Sequence, residues 1–194
     1  KEHILGLDIG GTGIKGAVIE VKTGKLLTER VKIMTPEPST PEAVGKVAAE
    51  IKHKFGFEGI IGCGFPAIIK NGVAMSASNI DQSWLNTDVQ EVLGRHTGSR
   101  VFVANDADVA GMAEQTFGFA ANQHGTVIVL TIGTGIGSAL FYNGVLVPNT
   151  EFGHLKFHKS IAEKYTSNAT RKEKDLSWDE FGGRLNEFLK HLEF

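Results

Sequence analysis

Two glycine-rich segments and one aspartate carry the chemistry that this sequence shows most openly. Residues 8–17 read Asp-Ile-Gly-Gly-Thr-Gly-Ile-Lys-Gly-Ala, and residues 131–139 read Thr-Ile-Gly-Thr-Gly-Ile-Gly-Ser-Ala. Each copy lies between two apolar runs, so the two are versions of one motif separated by more than half the chain. Glycine permits positive φ and close backbone approach, which leaves several N–H groups aimed at one anion, and a threonine hydroxyl adds a donor. Gly10, Gly11, Thr12, Gly13 and Lys15 in the first copy, with Thr131, Gly133, Thr134 and Gly135 in the second, are the candidate contacts to a phosphate donor. Between the copies, Asn105-Asp106-Ala107-Asp108 places a carboxylate where a buried strand passes into a helix. Phosphoryl transfer to an alcohol needs positioning, charge neutralisation and an acceptor for the hydroxyl proton, and Asp106 is the candidate base. The competing reading makes Asn105 or Asp106 a helix cap. Asp8, ending the first strand, is the candidate to hold Mg²⁺ through water, against the alternative of a turn aspartate.

Gly11-Thr12-Gly13-Ile14-Lys15-Gly16 also satisfies G-x-G-x-x-G, the dinucleotide fingerprint. That fingerprint must open a helix, whereas residues 14–21 are rich in β-branched side chains and run to a Thr23-Gly24 turn. The second copy likewise continues as a strand into Asn143-Gly144, a dipeptide that favours a type I′ hairpin. Neither copy ends in the G-K-[ST] of a nucleotide P-loop. Two ordinary tight hairpins remain the alternative to two phosphate cradles.

Residues 3–9, 14–21 and 26–34 read as three strands joined by tight turns. Thr40 caps a helix with Pro41 in its first position, and Val44, Val47, Ala48, Ile51 and Phe55 recur at helical spacing. Residues 59–65 read as a buried strand, 87–90 as a capping box, 101–104 as a further strand and 106–117 as a helix of small residues. Residues 126–132 and 137–142 rebuild the opening strand pair. Ser177-Trp178-Asp179-Glu180 is a second capping box, and Phe181, Leu185, Phe188, Leu189 and Leu192 form the apolar stripe of a last helix. Strands alternating with helices predict an α/β fold of two duplicated lobes, divided into 1–104 and 105–194.

The 194 residues, 41% hydrophobic and 22% charged, can bury a core, and a net charge of −2 supplies no overall field to recruit nucleic acid or an anionic membrane. Any polyanion must therefore be gripped locally. The single cysteine, Cys63, excludes an internal disulfide and a multi-cysteine zinc site and is read as a small buried side chain. No apolar run approaches a membrane span, and Lys1-Glu2-His3 leads into a strand pattern instead of a signal peptide, so a cytoplasmic protein is expected.

Recognition of a polyol needs several polar side chains in one pocket, and Ser78, Asn79, Asn105, Asp106, Glu151, His154 and Glu163 could supply them beside the stiff Phe65-Pro66-Ala67 turn. Lys156, His158, Lys159, Lys164, Arg171, Lys172 and Lys174 make the following region basic, either to guide a phosphate chain or simply as a solvated face.

The segments 8–17, 64–67 (Gly-Phe-Pro-Ala), Asn79-Ile80 with Trp84, 105–108, 132–138, 151–154 (Glu-Phe-Gly-His) and 176–178 together resemble the ROK sugar kinases, and within them the polyphosphate glucokinase branch. The resemblance implies the two-lobed actin/hexokinase-like (ribonuclease H-like) fold with duplicated phosphate-binding β-hairpins. It implies Asp106 as base, Asn105, Glu151 and His154 as sugar contacts, and the glycine turns as donor sites, with Phe65, Pro66, Ser78 and Asn79 kept as further candidates for the sugar pocket. Lys15 resembles the polyphosphate-using branch, and residues 161–167 look like the helix that supplies a further sugar-binding glutamate, here Glu163. The cysteines of the family's zinc site are missing after His154, so no zinc is expected. The phosphate motif begins at once, where ROK repressors carry a DNA-binding domain, which disfavours a regulator. The family's later strand and Gly-Gly-Gly turn are not in these residues, so the second lobe is expected to be incomplete. The reading is transfer of a phosphoryl group from polyphosphate, with ATP as a second candidate donor, to the 6-hydroxyl of glucose, with Mg²⁺ as cofactor and a homodimer as assembly. An ATP-dependent kinase for another hexose and a non-catalytic sugar-binding protein are the alternatives.

Overall fold

The structure is a computed structural model and describes residues 2–193. β1 (His3–Ile9) and β2 (Ile14–Glu20) form the antiparallel hairpin expected around the first glycine turn, paired from His3–Glu20 to Ile9–Ile14. The third strand is much shorter than residues 26–34 predict, for only β3 (Val31–Ile33) joins the sheet. Leu26 keeps a single bridge to Ile19, and the Val18 N–H is taken by the Thr28 hydroxyl at 3.0 Å, a side-chain bond that replaces the strand ladder.

Helix α1 (Pro41–Lys54) starts as predicted, with Thr40 Oγ1 accepting the Ala43 N–H and proline where the helix has no use for a donor. Val44, Ala48 and Ile51 are its buried face. Strand β4 (Ile61–Phe65) is followed by a small hairpin, β5 (Ile69–Lys70) and β6 (Val73–Ala74), absent from the sequence reading. Its turn is Asn71-Gly72 with φ of 51° and 85°, a signal of the type noted at Asn143-Gly144. Helix α2 (Val89–Thr97) is capped by Asp88, whose side chain accepts the Glu91 N–H at 2.9 Å, and not by a box over 87–90. The Thr87 hydroxyl instead donates to the Ser83 carbonyl at 2.9 Å.

Strand β7 (Val101–Asn105) runs without a loop into α3 (Asp106–Phe117). Next come β8 (Thr126–Ile132), β9 (Ile136–Tyr142) and β10 (Val145–Val147), the last two joined by the expected Asn143-Gly144 turn. A two-stranded ribbon, β11 (Lys156–Phe157) and β12 (Ser160–Ile161), leads to the short helices α4 (Glu163–Thr166) and α5 (Asn168–Glu173). The last helix, α6 (Trp178–Leu192), carries the predicted capping box between Ser177 and Glu180.

The first sheet has the order β3-β2-β1-β4-β7, and the second β10-β9-β8. The main core lies between the first sheet and the α1–α2 pair; a smaller one gathers Ile136, Phe157, Ala162 and Phe188. Phe188, from the apolar stripe of the last helix, packs against Phe157 with ring centres 5.6 Å apart. Helix α3 is pressed against the second sheet closely enough that a Cβ on Gly111 would collide with Ala139. Cys63 is buried as expected, and loss of water pushes its thiol pKa far up. Among the described residues no helix is long and apolar enough to cross a membrane.

The largest side chain of the core is Trp84, fully buried, edge-on to Phe65 at 4.8 Å, with its indole N–H donated to the Ser39 carbonyl at 2.8 Å. Trp84→Ala is expected to cost about 3–5 kcal/mol, and Trp84→Phe, which keeps much of the packing but orphans one carbonyl, about 1–3 kcal/mol. Urea unfolding midpoints check the order.

Candidate functional site

The site begins where β1, β4 and β7 end. These three strands are parallel, and their register sets Asp8 level with Gly64, Gly64 with Ala104, and Phe65 with Asn105. Ligands of open parallel sheets sit beyond such carboxyl ends. Asn105 is the cap of α3: its Oδ1 accepts the N–H groups of Ala107 at 2.9 Å and Asp108 at 3.1 Å, while its Nδ2 donates to the Ala67 carbonyl at 3.1 Å. Capping and cleft placement are thus one arrangement, because the residue that stops the strand also holds segment 65–67 and aims Asp106 off the first helical turn.

Asp106 keeps an exposed edge by surface area, yet its neighbours crowd the carboxyl group enough that loss of water dominates its ionisation. Burial raises its pKa; the Ala107 N–H opposes this, and the nearby Asp8 and Asp108 charges raise it further. Asp8 itself is ion-paired with Lys15, Oδ2 to Nζ 2.7 Å, directly across the β1–β2 ladder. The first turn closes through the Gly10 N–H to the Gly13 carbonyl at 3.2 Å, and Thr35 donates to the Gly10 carbonyl at 2.5 Å. Gly11 lies against the Asn79 carbonyl.

The second turn repeats this closure, Gly133 N–H to the Gly135 carbonyl at 3.0 Å. Where a Cβ on Gly137 would stand, Ala107 and Thr131 already lie, so the second hairpin is held against the start of α3. Both glycine turns therefore belong to hairpins that reach the neighbourhood of Asp106. A Cβ on Gly135 would strike Glu163, whose Oε2 accepts the Ile136 N–H at 3.4 Å. His154 stands between two carboxylates, Nδ1 3.8 Å from Glu151 and Nε2 3.7 Å from Glu163. Burial raises the Glu151 pKa, His154 lowers it, and Asp106, Asp108 and Glu163 raise it again.

The structure thus gathers Asp8, Lys15, Asn105, Asp106, Glu151, His154 and Glu163 into one region. Ser78 and Asn79 are exposed on the loop beside the first turn. Phe65 is different: its ring is fully buried against Trp84, so only its main chain can serve a ligand, while Pro66 is partly exposed. In the basic stretch, Arg171 stacks over Trp178 at 4.2 Å and bonds to the Leu176 carbonyl, and His158 pairs with Glu187 at 2.8 Å, so two of its members are spent on contacts with α6 and the segment leading into it. Sequence reasoning missed Asn149 and Ser138, which hold the segment around Glu151. The Pro148-Asn149 pair was the available turn signal.

The ROK family model matches residues 4–169. The chain belongs to the ROK family. Over all 194 residues it is 40% identical to the polyphosphate glucokinase of Mycobacterium tuberculosis, covering 73% of that protein. Its full length superposes on inorganic polyphosphate/ATP-glucomannokinase from an Arthrobacter strain with a TM-score of 0.94 and 45% identity, covering 79% of that chain. A ROK family glucokinase from Streptomyces griseus, solved with glucose and AMPPNP, matches 88% of this chain and 59% of its own with a TM-score of 0.76 and 27% identity. These ROK likenesses bear out the two-lobed actin/hexokinase-like fold expected from the motifs.

A raised pKa means that the ionised Asp106 is disfavoured in the folded chain. The unfolded chain releases this proton first as pH rises, so stability falls between the ordinary aspartate value and the raised one. Asp106→Asn keeps an acceptor for the Ala107 N–H without the charge. It is expected to raise the thermal midpoint at neutral pH, and the gain should vanish below the ordinary carboxylate range in scans across pH.

Proposed function

We propose that this chain transfers the terminal phosphoryl group of inorganic polyphosphate, with ATP as a second donor, to the 6-hydroxyl of glucose. The observation that carries the reading is the meeting of two glycine hairpins and the Glu151–His154–Glu163 cluster around Asp106. The curated relative and the superposed structure named above are polyphosphate-dependent sugar kinases, which supports the same donor and acceptor here.

In the proposed step glucose lies among Asn105, Glu151, His154 and Glu163, with Pro66, Ser78, Asn79 and the Phe65 main chain completing the pocket. The donor phosphates take the N–H groups of the two turns, with the Thr12, Thr131 and Thr134 hydroxyls and Lys15. Asp106 accepts the 6-hydroxyl proton as the O6–P bond forms. The bridging P–O bond breaks, and its electron pair leaves on the shortened polyphosphate, or on ADP when ATP is the donor. Preorganised donors stabilise the charge on the transferred group, and closure of the two lobes, 1–104 and 105–194, excludes water that would otherwise compete as acceptor.

Mg²⁺ is part of the proposal. Magnesium uses one or two carboxylates with waters and substrate phosphates, and so does not require a cage of protein ligands. Among the described residues no cluster of three or more His, Cys, Asp or Glu side chains forms such a cage, and Asp8 keeps one oxygen outside its pair with Lys15. Asp8 would hold the ion through water, and the ion would neutralise donor charge. A homodimer is the assembly expected from the family resemblance.

A glucose 6-phosphate assay run with polyphosphate and with ATP tests the donor. Asp106→Ala should lower turnover about 10²–10⁴-fold while calorimetry still shows glucose binding; unchanged turnover overturns the mechanism. Lys15→Met should raise the polyphosphate KM and flatten its salt dependence, leaving the glucose KM near its starting value.

A further inference from the structure

Glu151 is delivered by a segment whose fastening involves a residue with no part in the chemistry above. Asn149 has φ of 59°, and its amide pairs with Ile69 much as a strand would. Its Oδ1 accepts the Ile69 N–H at 2.9 Å, and its Nδ2 donates to the Ile69 carbonyl at 2.9 Å. The Asn149 backbone N–H donates to Asp108 Oδ2 at 2.8 Å. Asp108 is only 2% exposed, and among the described residues its Oδ1 has no hydrogen-bond partner. Ile69, Asn105, Asp108 and Asn149 share the wall of one cavity of about 320 Å³.

A buried, half-satisfied carboxylate costs stability, so its place two residues after Asp106 calls for a use. The path is short. Asp106 and Asp108 lie on the first turn of α3, Asn149 lies two residues before Glu151, and one hydrogen bond joins the halves. The opposite side of Glu151 is fixed by Ser138, whose Oγ donates to the Thr150 carbonyl at 2.7 Å and accepts the Phe152 N–H at 3.0 Å. Segment 67–69 is pinned twice, by Asn105 at Ala67 and by Asn149 at Ile69.

We propose that Asn149 is a positioning residue that, through Asp108 and Ile69, sets Glu151 relative to Asp106 and locks both to the sugar-side segment 65–69. The inference rests on the sugar-kinase reading above. No contact of this latch runs through either glycine turn, so its loss should disturb the acceptor and spare the donor.

Asn149→Gly is the direct test, since glycine accepts the positive φ and keeps the N–H to Asp108 while deleting both side-chain bonds. The glucose KM, and the glucose dissociation constant measured by calorimetry without donor, should each rise about tenfold. The polyphosphate KM should stay within about twofold of the parent value. Asn149→Asp keeps an acceptor for the Ile69 N–H and should fall between parent and glycine variant. Asp108→Asn retains an oxygen for the Asn149 N–H and should remain near the parent. Unchanged glucose values, or equal rises in both KM values, overturn the proposal; should the glycine variant not fold, a glucose affinity of Asn149→Asp equal to the parent's does the same. A parent chain that neither binds glucose nor turns it over would instead defeat the sugar-kinase reading, and this inference with it.

Discussion

The arrangement depends on the start of α3, where the Asn105 amide closes the first turn of a helix pressed against the second sheet. A strand that becomes a helix without a loop has little freedom in its first side chain. Asp106 is that side chain, and its backbone is fixed by the sheet on one side and by the α3 hydrogen bonds on the other. The same cap reaches the Ala67 carbonyl, which brings the turn after β4 under the same control. Small residues on α3 and in the second hairpin make the close approach possible. At Gly137 and Gly111 a methyl group would displace the helix from the sheet and the second glycine turn from Asp106.

Electrostatics set the character of the cleft. The chain is nearly neutral overall, yet Asp8 and Asp108 lie close enough to raise the Asp106 pKa, and Asp106, Asp108 and Glu163 close enough to raise that of Glu151. Lys15 answers Asp8, and His154 stands between Glu151 and Glu163, so the negative charge is countered at two separate places. Dehydration holds the Asp106 pKa above the usual aspartate range, which costs stability and makes the carboxylate a better proton acceptor.

Both glycine hairpins, the Thr40 cap of α1, the limits of α3 and the Ser177 capping box were legible in the sequence, because each depends on bonds within a few residues. The strand expected over 26–34 failed because one hydroxyl from Thr28 took a ladder position, and alternation of side chains does not report that competition. The cap of α2 lies one residue later, at Asp88, while the Thr87 hydroxyl turns back to the Ser83 carbonyl. Phe65 stood beside a recognisable turn, but only its packing against Trp84 shows that its ring is sealed.

What the sequence alone determined is the chemistry available and its local stiffness: two glycine-rich turns able to present N–H groups, a carboxylate at a strand–helix junction, and a Glu-Phe-Gly-His segment able to bond hydroxyls. These follow from residue type and near-neighbour spacing, since φ preferences, capping and hydrogen-bonding capacity act over a few residues. Only the tertiary structure decided that the carboxylates perturb one another and that Asn149 bonds to Ile69 and Asp108 across long stretches of chain. Those relations depend on register between strands and on helix–sheet packing, which juxtapose residues remote in sequence and which no local pattern encodes.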